Sequence, residues 1–257
     1  ASKYIDQGLV VDLESYINDE ANGIADFKNN IDKQAYEEAK SFKDGKMHFL
    51  PLACAGPVFY YNKTIYKELG LSVPTTWEEL SANCEKIKEA YPDKVAFGTD
   101  NLNALALAFI GQSSEALFDL ENNTATFNTD EVKTRLDSFK TWTDEGLFSL
   151  SSLSGSFIED FNSGNLVSYM DSIAAVKNIT IENYEVAPLM QNGDSAYTPL
   201  KDLGAIIFAS DKVGEQAAFE VAKYLVSPDV NAKLCETLGF ISPYKLVRDN
   251  KEYQDYV

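Results

Sequence analysis

Side chains that commonly act as nucleophiles, bases or metal ligands are few in this chain and widely spaced. The single histidine is His48, and the three cysteines are Cys54, Cys84 and Cys235. The cysteines show no Cys-x-x-Cys spacing, so a zinc site is not expected. A Ser–His or Cys–His catalytic pair would have to rest on His48 alone. These side chains are therefore predicted to be structural, and no metal or other cofactor is expected.

Carboxylates are abundant, yet their spacing is not that of a catalytic pair. Neighbours such as Glu159 and Asp160 would point about 100° apart on a helix, so they do not converge on one substrate. No GxGxxG loop, GxxxxGK[ST] loop or GxSxG elbow occurs in the sequence, and these are the motifs of nucleotide cradles and hydrolase nucleophiles. We predict that the protein is not an enzyme.

The charge balance limits the classes of partner that the protein is expected to bind. The chain has 257 residues, with 22 basic and 40 acidic side chains and a net charge of −18. Such a surface repels phosphate backbones, so no nucleic acid partner is expected. Only two arginines are present, Arg135 and Arg248, so few guanidinium groups are available to bind a phosphate through two hydrogen bonds. The hydrophobic share of 45% is sufficient for a packed core.

Helix and strand signals alternate along the chain, which predicts an α/β fold. The clearest helix begins after Thr76, which can cap the first turn, and Glu79 stands three residues on to complete a capping box. Short apolar runs predict strands at Val95–Gly98, Leu166–Met170 and Gly204–Ala209. These strands and the turns that follow them would position any polar site.

The most specific motif lies between Asp44 and Ile87. It contains Asp44-Gly45-Lys46-Met47, Leu50-Pro51, Phe59-Tyr60-Tyr61-Asn62-Lys63, Glu68-Leu69-Gly70-Leu71 and Pro74-Thr75-Thr76-Trp77-Glu78-Glu79-Leu80. This combination resembles extracellular solute-binding protein family 1, whose members are maltose-binding-protein-like substrate-binding proteins of ABC importers. Val186-Ala187-Pro188-Leu189, Ser227-Pro228-Asp229 and Gly239-Phe240-Ile241-Ser242-Pro243 continue the resemblance in the family's order, so that it covers nearly the whole chain.

The resemblance implies a two-lobed periplasmic-binding-protein-like fold of type II, with the lobes joined by crossing hinge strands. Lobe one is expected to hold residues 1–54 and 204–241, and lobe two residues 55–201 and 242–257. Family members usually have a strand–helix–strand unit before the Gly8 region and helices after the Pro243 region. The chain is therefore expected to be truncated at both ends, without the opening strands of lobe one and the C-terminal helices of lobe two.

The same resemblance implies capture of a small polar ligand, a mono- or oligosaccharide, for an ABC permease, by a monomer outside the cytoplasm. The protein would be a cell-surface lipoprotein or periplasmic. Ligand contacts are expected at the chain crossings and after two strands, at Cys54, Ala55, Gly56, Asp100, Asn101, Asn103, Asp171, Ser172, Asp202 and Leu203. Asp, Asn and Ser suit hydroxyl recognition, and they serve equally well as loop and cap residues.

Three alternatives concern the ligand and its aromatic contact. The family often places an aromatic residue shortly after the strand that ends at Met170, but Ile173, Ala174 and Ala175 stand there, and Tyr197 is the expected substitute. The aspartates also suit a polyamine or another cationic solute. A truncated scaffold that binds nothing is the third reading.

Overall fold

The computed structural model describes residues 2–113, 118–119, 122, 124–192 and 196–254. The chain divides into two compact units. The first unit comprises Ala1–Ala55 and Lys201–Val257, and the second comprises Gly56–Leu200. The chain therefore passes from one unit to the other after Ala55 and returns after Leu200, so that its first and last parts fold together.

Helices and strands alternate along the described residues, as the α/β prediction requires. The helices are α1 (Ser2–Asp6), α2 (Glu14–Ile17), α3 (Phe27–Asn30), α4 (Lys33–Ala39), α5 (Lys63–Glu68), α6 (Trp77–Ala90), α7 (Leu102–Gly111), α8 (Asp130–Asp144), α9 (Phe157–Asn162), α10 (Lys212–Leu225), α11 (Pro228–Leu238), α12 (Lys245–Arg248) and α13 (Lys251–Gln254). The strands are β1 (Leu50–Ala55), β2 (Pro57–Asn62), β3 (Val95–Gly98), β4 (Phe118–Asp119), β5 (Thr124–Ala125), β6 (Phe148–Ser149), β7 (Leu166–Ser172), β8 (Tyr184–Ala187) and β9 (Lys201–Ala205). A 3₁₀ helix spans Ile173–Asn178. Within the described ranges, no helix is long and apolar enough to cross a membrane.

The first unit is built on the antiparallel pair β1–β9. The pairing register shifts between Pro51 and Ala53, at a position where proline supplies no N–H to the ladder. Helices α2, α4, α10, α11 and α12 place apolar side chains around this pair, and Leu13, Leu50 and Phe219 are fully buried. The strand predicted at Gly204–Ala209 lies earlier, at Lys201–Ala205.

The C-terminal segment belongs to the first unit, which corrects the expectation that residues 242–257 join lobe two and that the chain crosses near Ser242. Tyr244 is 1% exposed, and its hydroxyl donates to the carbonyl oxygen of Pro51 at 2.6 Å. The Ser242 N–H donates to the Tyr253 hydroxyl at 2.7 Å. These buried contacts, together with the Ile31–Tyr244 bridge, hold the segment against β1 and α3.

The second unit contains a five-stranded mixed sheet in the order β6-β3-β7-β2-β8. Strand β3 is parallel to β6 and β7, whereas β2 is antiparallel to β7 and β8. Side chains alternate along β2, so that Phe59 and Tyr61 enter one apolar core and Tyr60 enters another. Because β3 and β7 are parallel neighbours, with Gly98 opposite Tyr169, their C-terminal ends lie side by side.

Helix α6 begins with the predicted capping box. The Thr76 hydroxyl accepts from the Glu79 N–H at 3.2 Å, and the Glu79 carboxylate accepts from the N–H groups of Thr75 and Thr76. These N–H donors lower the pKa of Glu79. The cap fixes the start of α6, which then buries Trp77, Leu80 and Ile87.

Thr76→Ala should reduce the free energy of unfolding by about 1 kcal/mol, because the first turn of α6 loses a hydrogen-bond acceptor. Urea unfolding followed by circular dichroism measures the change. Thr76→Ser is the matched control, because it retains the hydroxyl and should unfold close to the wild-type midpoint. Equal destabilisation by Ala and Ser would show that the methyl group, and not the cap, stabilises this turn.

Candidate functional site

A cluster of two carboxylates around one phenol lies at the C-terminal ends of β3 and β7. We call Asp100, Tyr169 and Asp171 the strand-end cluster. The Tyr169 hydroxyl lies 2.7 Å from Asp171 Oδ2 and 3.4 Å from Asp100 Oδ2. Tyr169 and Asp171 are two residues apart on one strand and so share a face, whereas Asp100 arrives from the turn after β3. The parallel pairing thus brings together two aspartates that are 71 residues apart in the sequence.

The backbone around the strand-end cluster is tightly held. The Phe157 N–H donates to Asp100 Oδ2 at 3.3 Å. The Phe157 ring covers Gly98 so closely that any Cβ there would overlap it, which explains glycine at the last position of β3. The Thr99 hydroxyl donates to the Met170 carbonyl oxygen at 2.6 Å and ties the turn after β3 to β7. The turn that carries Asp100 is therefore held in a fixed position.

The charges in the strand-end cluster are unbalanced. Burial, together with the hydrogen bond to Asp171, raises the pKa of Tyr169, so its phenol stays a proton donor. Desolvation raises the pKa of Asp100, the Phe157 N–H opposes that rise, and repulsion from Asp171 adds to it. Among the ion pairs of the described residues, none involves Asp100 or Asp171. Within the described part of the chain, the two carboxylates are thus hydrogen-bond acceptors that no cationic side chain neutralises.

Three other expected site residues of the second unit lie near this cluster, and two of them cap helices. Asn101 Oδ1 accepts from the Ala104 N–H at 3.2 Å and caps α7. The Ser172 hydroxyl accepts from the Ala174 N–H at 3.3 Å at the start of the 3₁₀ helix. Asn103 is exposed on the first turn of α7. Asn101 and Ser172 therefore have structural roles as helix caps, in addition to any contact with a ligand.

Gly56 lies beside these caps, because its carbonyl oxygen accepts from the Ile173 N–H at 2.9 Å. The side chain of Leu200 would lie 2.8 Å from a Cβ at Gly56. The segment that enters the second unit and the segment that leaves it are therefore in contact at this glycine, and a larger residue there would have to displace the Leu200 side chain.

Tyr197 is not part of the strand-end cluster. Its half-buried ring packs on Gly111, where any Cβ would overlap it, and the Gln112 amide donates to its carbonyl oxygen at 3.0 Å. Gly111 is the last residue of α7, and Asp100 lies just before the first. The ten residues of α7 span about 15 Å at 1.5 Å each. The expected substitute for the stacking aromatic residue therefore lies at the far end of α7.

The expected site residues of the first unit lie on β1 and β9. Cys54 is opposite Asp202, Ala55 is opposite Lys201, and Leu203 is opposite Ala53. Burial, with a smaller contribution from the negative charge of Asp202, raises the pKa of the Cys54 thiol to about 11. A thiol with this pKa is not a nucleophile at neutral pH. No group of three or more His, Cys, Asp or Glu side chains in the described part of the chain could hold a metal ion.

Asp202 forms a carboxyl pair with Glu38 of α4. Desolvation raises the pKa of Asp202 to about 7, and the hydrogen bond with Glu38 contributes to the rise. Glu38 also accepts from the Gln34 amide at 2.9 Å. Cys54 lies on β1, the strand that pairs with β9. Asp32 and Arg248 are further charged groups near Cys54. At neutral pH the Asp202 carboxyl is therefore protonated for part of the time.

This pair gives a pH dependence with a definite sign. The pKa of Asp202 is higher in the folded chain than the ordinary value of 3.8, so the folded state binds more protons between these values and stability falls as pH rises through this window. Asp202→Asn should therefore gain stability relative to wild type on going from pH 5 to pH 8. Chemical denaturation at both pH values tests this, with Glu38→Gln expected to act alike. A pH-independent difference for both variants would contradict the pairing.

Residues that the sequence reasoning missed are Tyr169, Phe157 and Glu38. Tyr169 was detectable, since it stands two residues before Asp171 in a predicted strand and must share its face. Phe157 and Glu38 approach from elements 57 and 164 residues away from their partners. No local pattern indicates such contacts.

Comparison with known proteins identifies relatives over the whole chain. The family described as bacterial extracellular solute-binding proteins matches residues 1–257. A binding protein of Brucella abortus is 25% identical over 259 residues, which is 93% of this chain and 59% of that protein. The chain therefore spans about three fifths of the length of this curated relative.

Solved structures share the fold. The sugar-binding protein MalE of Xanthomonas citri superposes with a TM-score of 0.84 at 17% identity, over 99% of this chain and 66% of that one. UgpB of Mycobacterium tuberculosis, in complex with glycerophosphocholine, gives a TM-score of 0.78 at 19% identity, over 99% of this chain and 65% of that one. At these identities the likeness concerns the fold alone.

Proposed function

This chain belongs to the family of bacterial extracellular solute-binding proteins, and from that premise we propose that it captures a carbohydrate outside the cytoplasm for the permease of an ABC importer. It acts as a monomeric binding protein and not as an enzyme. It is a cell-surface lipoprotein or a periplasmic protein. The sugar-binding neighbour of the same fold supports the ligand class.

The strand-end cluster is the observation that carries this proposal. Sugar hydroxyls are hydrogen-bond donors, and carboxylates are the strongest neutral-pH acceptors among side chains. Asp100 and Asp171 are held by Tyr169 at the ends of adjacent strands and lack ion-pair partners. Ligands of open α/β sheets bind outside the carboxyl ends of the strands, and this is where the two carboxylates lie.

The contact residues are proposed in the two units separately. In the second unit they are Gly56, Asp100, Asn101, Asn103, Asp171 and Ser172, and Tyr197, which packs on Gly111 at the far end of α7, is not among them. In the first unit they are Cys54, Ala55, Asp202 and Leu203. Asp100, Asp171 and Asp202 are proposed to accept hydrogen bonds from the sugar hydroxyls. The aliphatic stretch Ile173–Ala175 offers no ring for stacking, so carboxylates carry more of the recognition here than aromatic faces do.

A cationic solute such as a polyamine is the second candidate. The carboxylates of the strand-end cluster attract an ammonium group as well as a hydroxyl, and their pairing with no lysine or arginine favours this ligand too. A glycerophosphate is a weaker candidate. Of the two arginines, Arg135 is paired with Glu131 and Arg248 lies 3.6 Å from Asp32. The aspartates of the cluster would also repel a phosphate.

A thermal-shift panel of oligosaccharides, monosaccharides, polyamines and glycerophosphates tests the proposal. A true ligand at a hundredfold excess over its dissociation constant stabilises by about 2.7 kcal/mol, or about 5–10 °C for a chain of this size. We expect this shift with a carbohydrate. A shift with spermidine alone would support the cationic alternative. An intact fold that no compound stabilises would support the non-binding scaffold.

A further inference from the structure

A second concave site lies in the same unit, away from the strand-end cluster. It is a cavity of about 310 Å³ at the start of α6, the end of α7 and one face of α8. Three aromatic rings, Trp77, Phe109 and Trp142, form its apolar side. Trp77 and Phe109 lie with ring centroids 4.5 Å apart, and Trp142 packs 6.5 Å from Phe109. Trp77 and Phe109 are only 3% and 4% exposed, so the aromatic surface that faces the cavity comes mainly from the half-buried Trp142 ring.

The side of the cavity formed by α8 carries polar side chains beside Trp142. Glu131, Thr134, Arg135 and Ser138 line it, and their spacing of three, four and seven residues places them on one face of α8. The Arg135 side chain is only 11% exposed and is paired with Glu131. It also donates to the Phe109 carbonyl oxygen at 3.2 Å. Polar side chains are thus held in fixed positions around the rings.

Helix α8 packs against the core through Phe139 and Trp142, yet little of the helix is fully buried. Val132 is the one residue of α8 that is buried, and Leu136 is 42% exposed. A second opening of about 230 Å³, lined by apolar side chains, lies along α8 on another side of Phe109. The two openings beside Phe109 therefore leave room for a small molecule at the surface of α7 and α8.

We propose that the cavity at Trp77, Phe109 and Trp142 is an accessory binding site for a compact neutral polyhydroxyl molecule of monosaccharide size. Its volume lies at the lower end of the range of about 300–1,000 Å³ for small-molecule sites. The exposed part of the Trp142 ring takes the C–H face of such a molecule, and the polar side chains of α8 take its hydroxyls. The two carboxylates of Glu78 and Glu131 outnumber the single guanidinium of Arg135, which disfavours an anion.

This site is separate from the strand-end cluster. Gln112, which follows the last residue of α7, lines the cavity, whereas Asp100 precedes the first. The length of α7, about 15 Å, therefore lies between them. The inference rests on the cavity and not on the proposed transport function, so either can fail alone.

The tryptophans supply a specific readout. The chain has two tryptophans, Trp77 and Trp142, and both line the cavity. In the protein labelled with 5-fluorotryptophan, titration with glucose, mannose and galactose to millimolar concentration should move the ¹⁹F resonances in a saturable manner with at least one sugar. No movement with any of the three sugars, or movement with putrescine or inorganic phosphate and not with sugar, overturns the proposal.

Matched variants show which site produces the change in the tryptophan resonances. Ser138→Leu fills the cavity while favouring the helix, and it should weaken the tryptophan response at least about tenfold in apparent affinity, as steric exclusion predicts. Thr141→Leu, on the exposed surface of α8, should respond as wild type does. Asp171→Asn should also respond as wild type, because the strand-end cluster is remote. An unchanged response in Ser138→Leu, or its loss in Asp171→Asn, contradicts the site.

Discussion

Asp171→Asn should weaken carbohydrate binding by about 10- to 100-fold and leave the melting temperature unchanged or raised. The substitution removes a charge-assisted acceptor, which contributes about 1.5–3 kcal/mol to a hydrogen bond. Desolvation is the main cause of the raised pKa of Asp100, and the substitution removes the repulsion from Asp171 that adds to it, so the folded protein without ligand is not expected to lose stability. Titration calorimetry with the carbohydrate that stabilises most, beside thermal unfolding without ligand, measures both effects.

Asp137→Asn is the matched control for this variant. Asp137 is an exposed carboxylate on α8 in the same unit, and its replacement changes the net charge equally. If both variants lost the same affinity, the effect would come from the overall charge of the chain. If Asp171→Asn lost stability together with affinity, the aspartate would be a structural residue of β7 and not a ligand contact.

Asn231→Ala should destabilise the first unit by about 1–3 kcal/mol, since it removes two buried hydrogen bonds that contribute about 0.5–1.5 kcal/mol each. Asn231 is fully buried. Its amide donates to the Leu52 carbonyl oxygen at 2.8 Å, and its Oδ1 accepts from the Ser242 hydroxyl at 2.5 Å. One side chain thus joins α11, β1 and the C-terminal segment. Equilibrium unfolding in urea, monitored by circular dichroism, measures the change.

Lys233→Ala on the same helix provides the comparison. The Lys233 side chain is 72% exposed and pairs only with Glu236 three residues away, so its loss should stay within about 0.5 kcal/mol. A small effect at Asn231, similar to that at Lys233, would show that the C-terminal segment is not held to β1 through this amide. The assignment of residues 242–257 to the first unit would then lose its main polar support.

The fold was predictable where the sequence signal is local. The capping box at Thr76 and Glu79 is contained in four residues, and the structure forms it as predicted. The α/β class follows from alternating periodicities, and the motif between Asp44 and Ile87 identified the family. The placement of residues 242–257 was wrong, because contacts such as that of Tyr244 with Pro51 join residues 193 positions apart.

The site was only partly predictable. The sequence predicts Asp100 and Asp171 as site residues because they follow strands, and the parallel pairing of β3 and β7 brings them together. Tyr197 is predicted as a site residue because it is aromatic, but the residue type alone does not show that its ring packs on Gly111. Glu38 was missed, because α4 approaches Asp202 only through tertiary packing. Strand ends can be inferred from periodicity, whereas partners across a unit cannot.

The most direct test of the account is a crystal structure of the chain with the carbohydrate that raises its melting temperature most. We predict sugar hydroxyls within hydrogen-bonding distance of the Asp100 and Asp171 carboxylates, with Tyr169 still donating to Asp171. A bound carbohydrate that leaves both carboxylates without contact, at full occupancy elsewhere on the chain, would contradict the proposed role of the strand-end cluster.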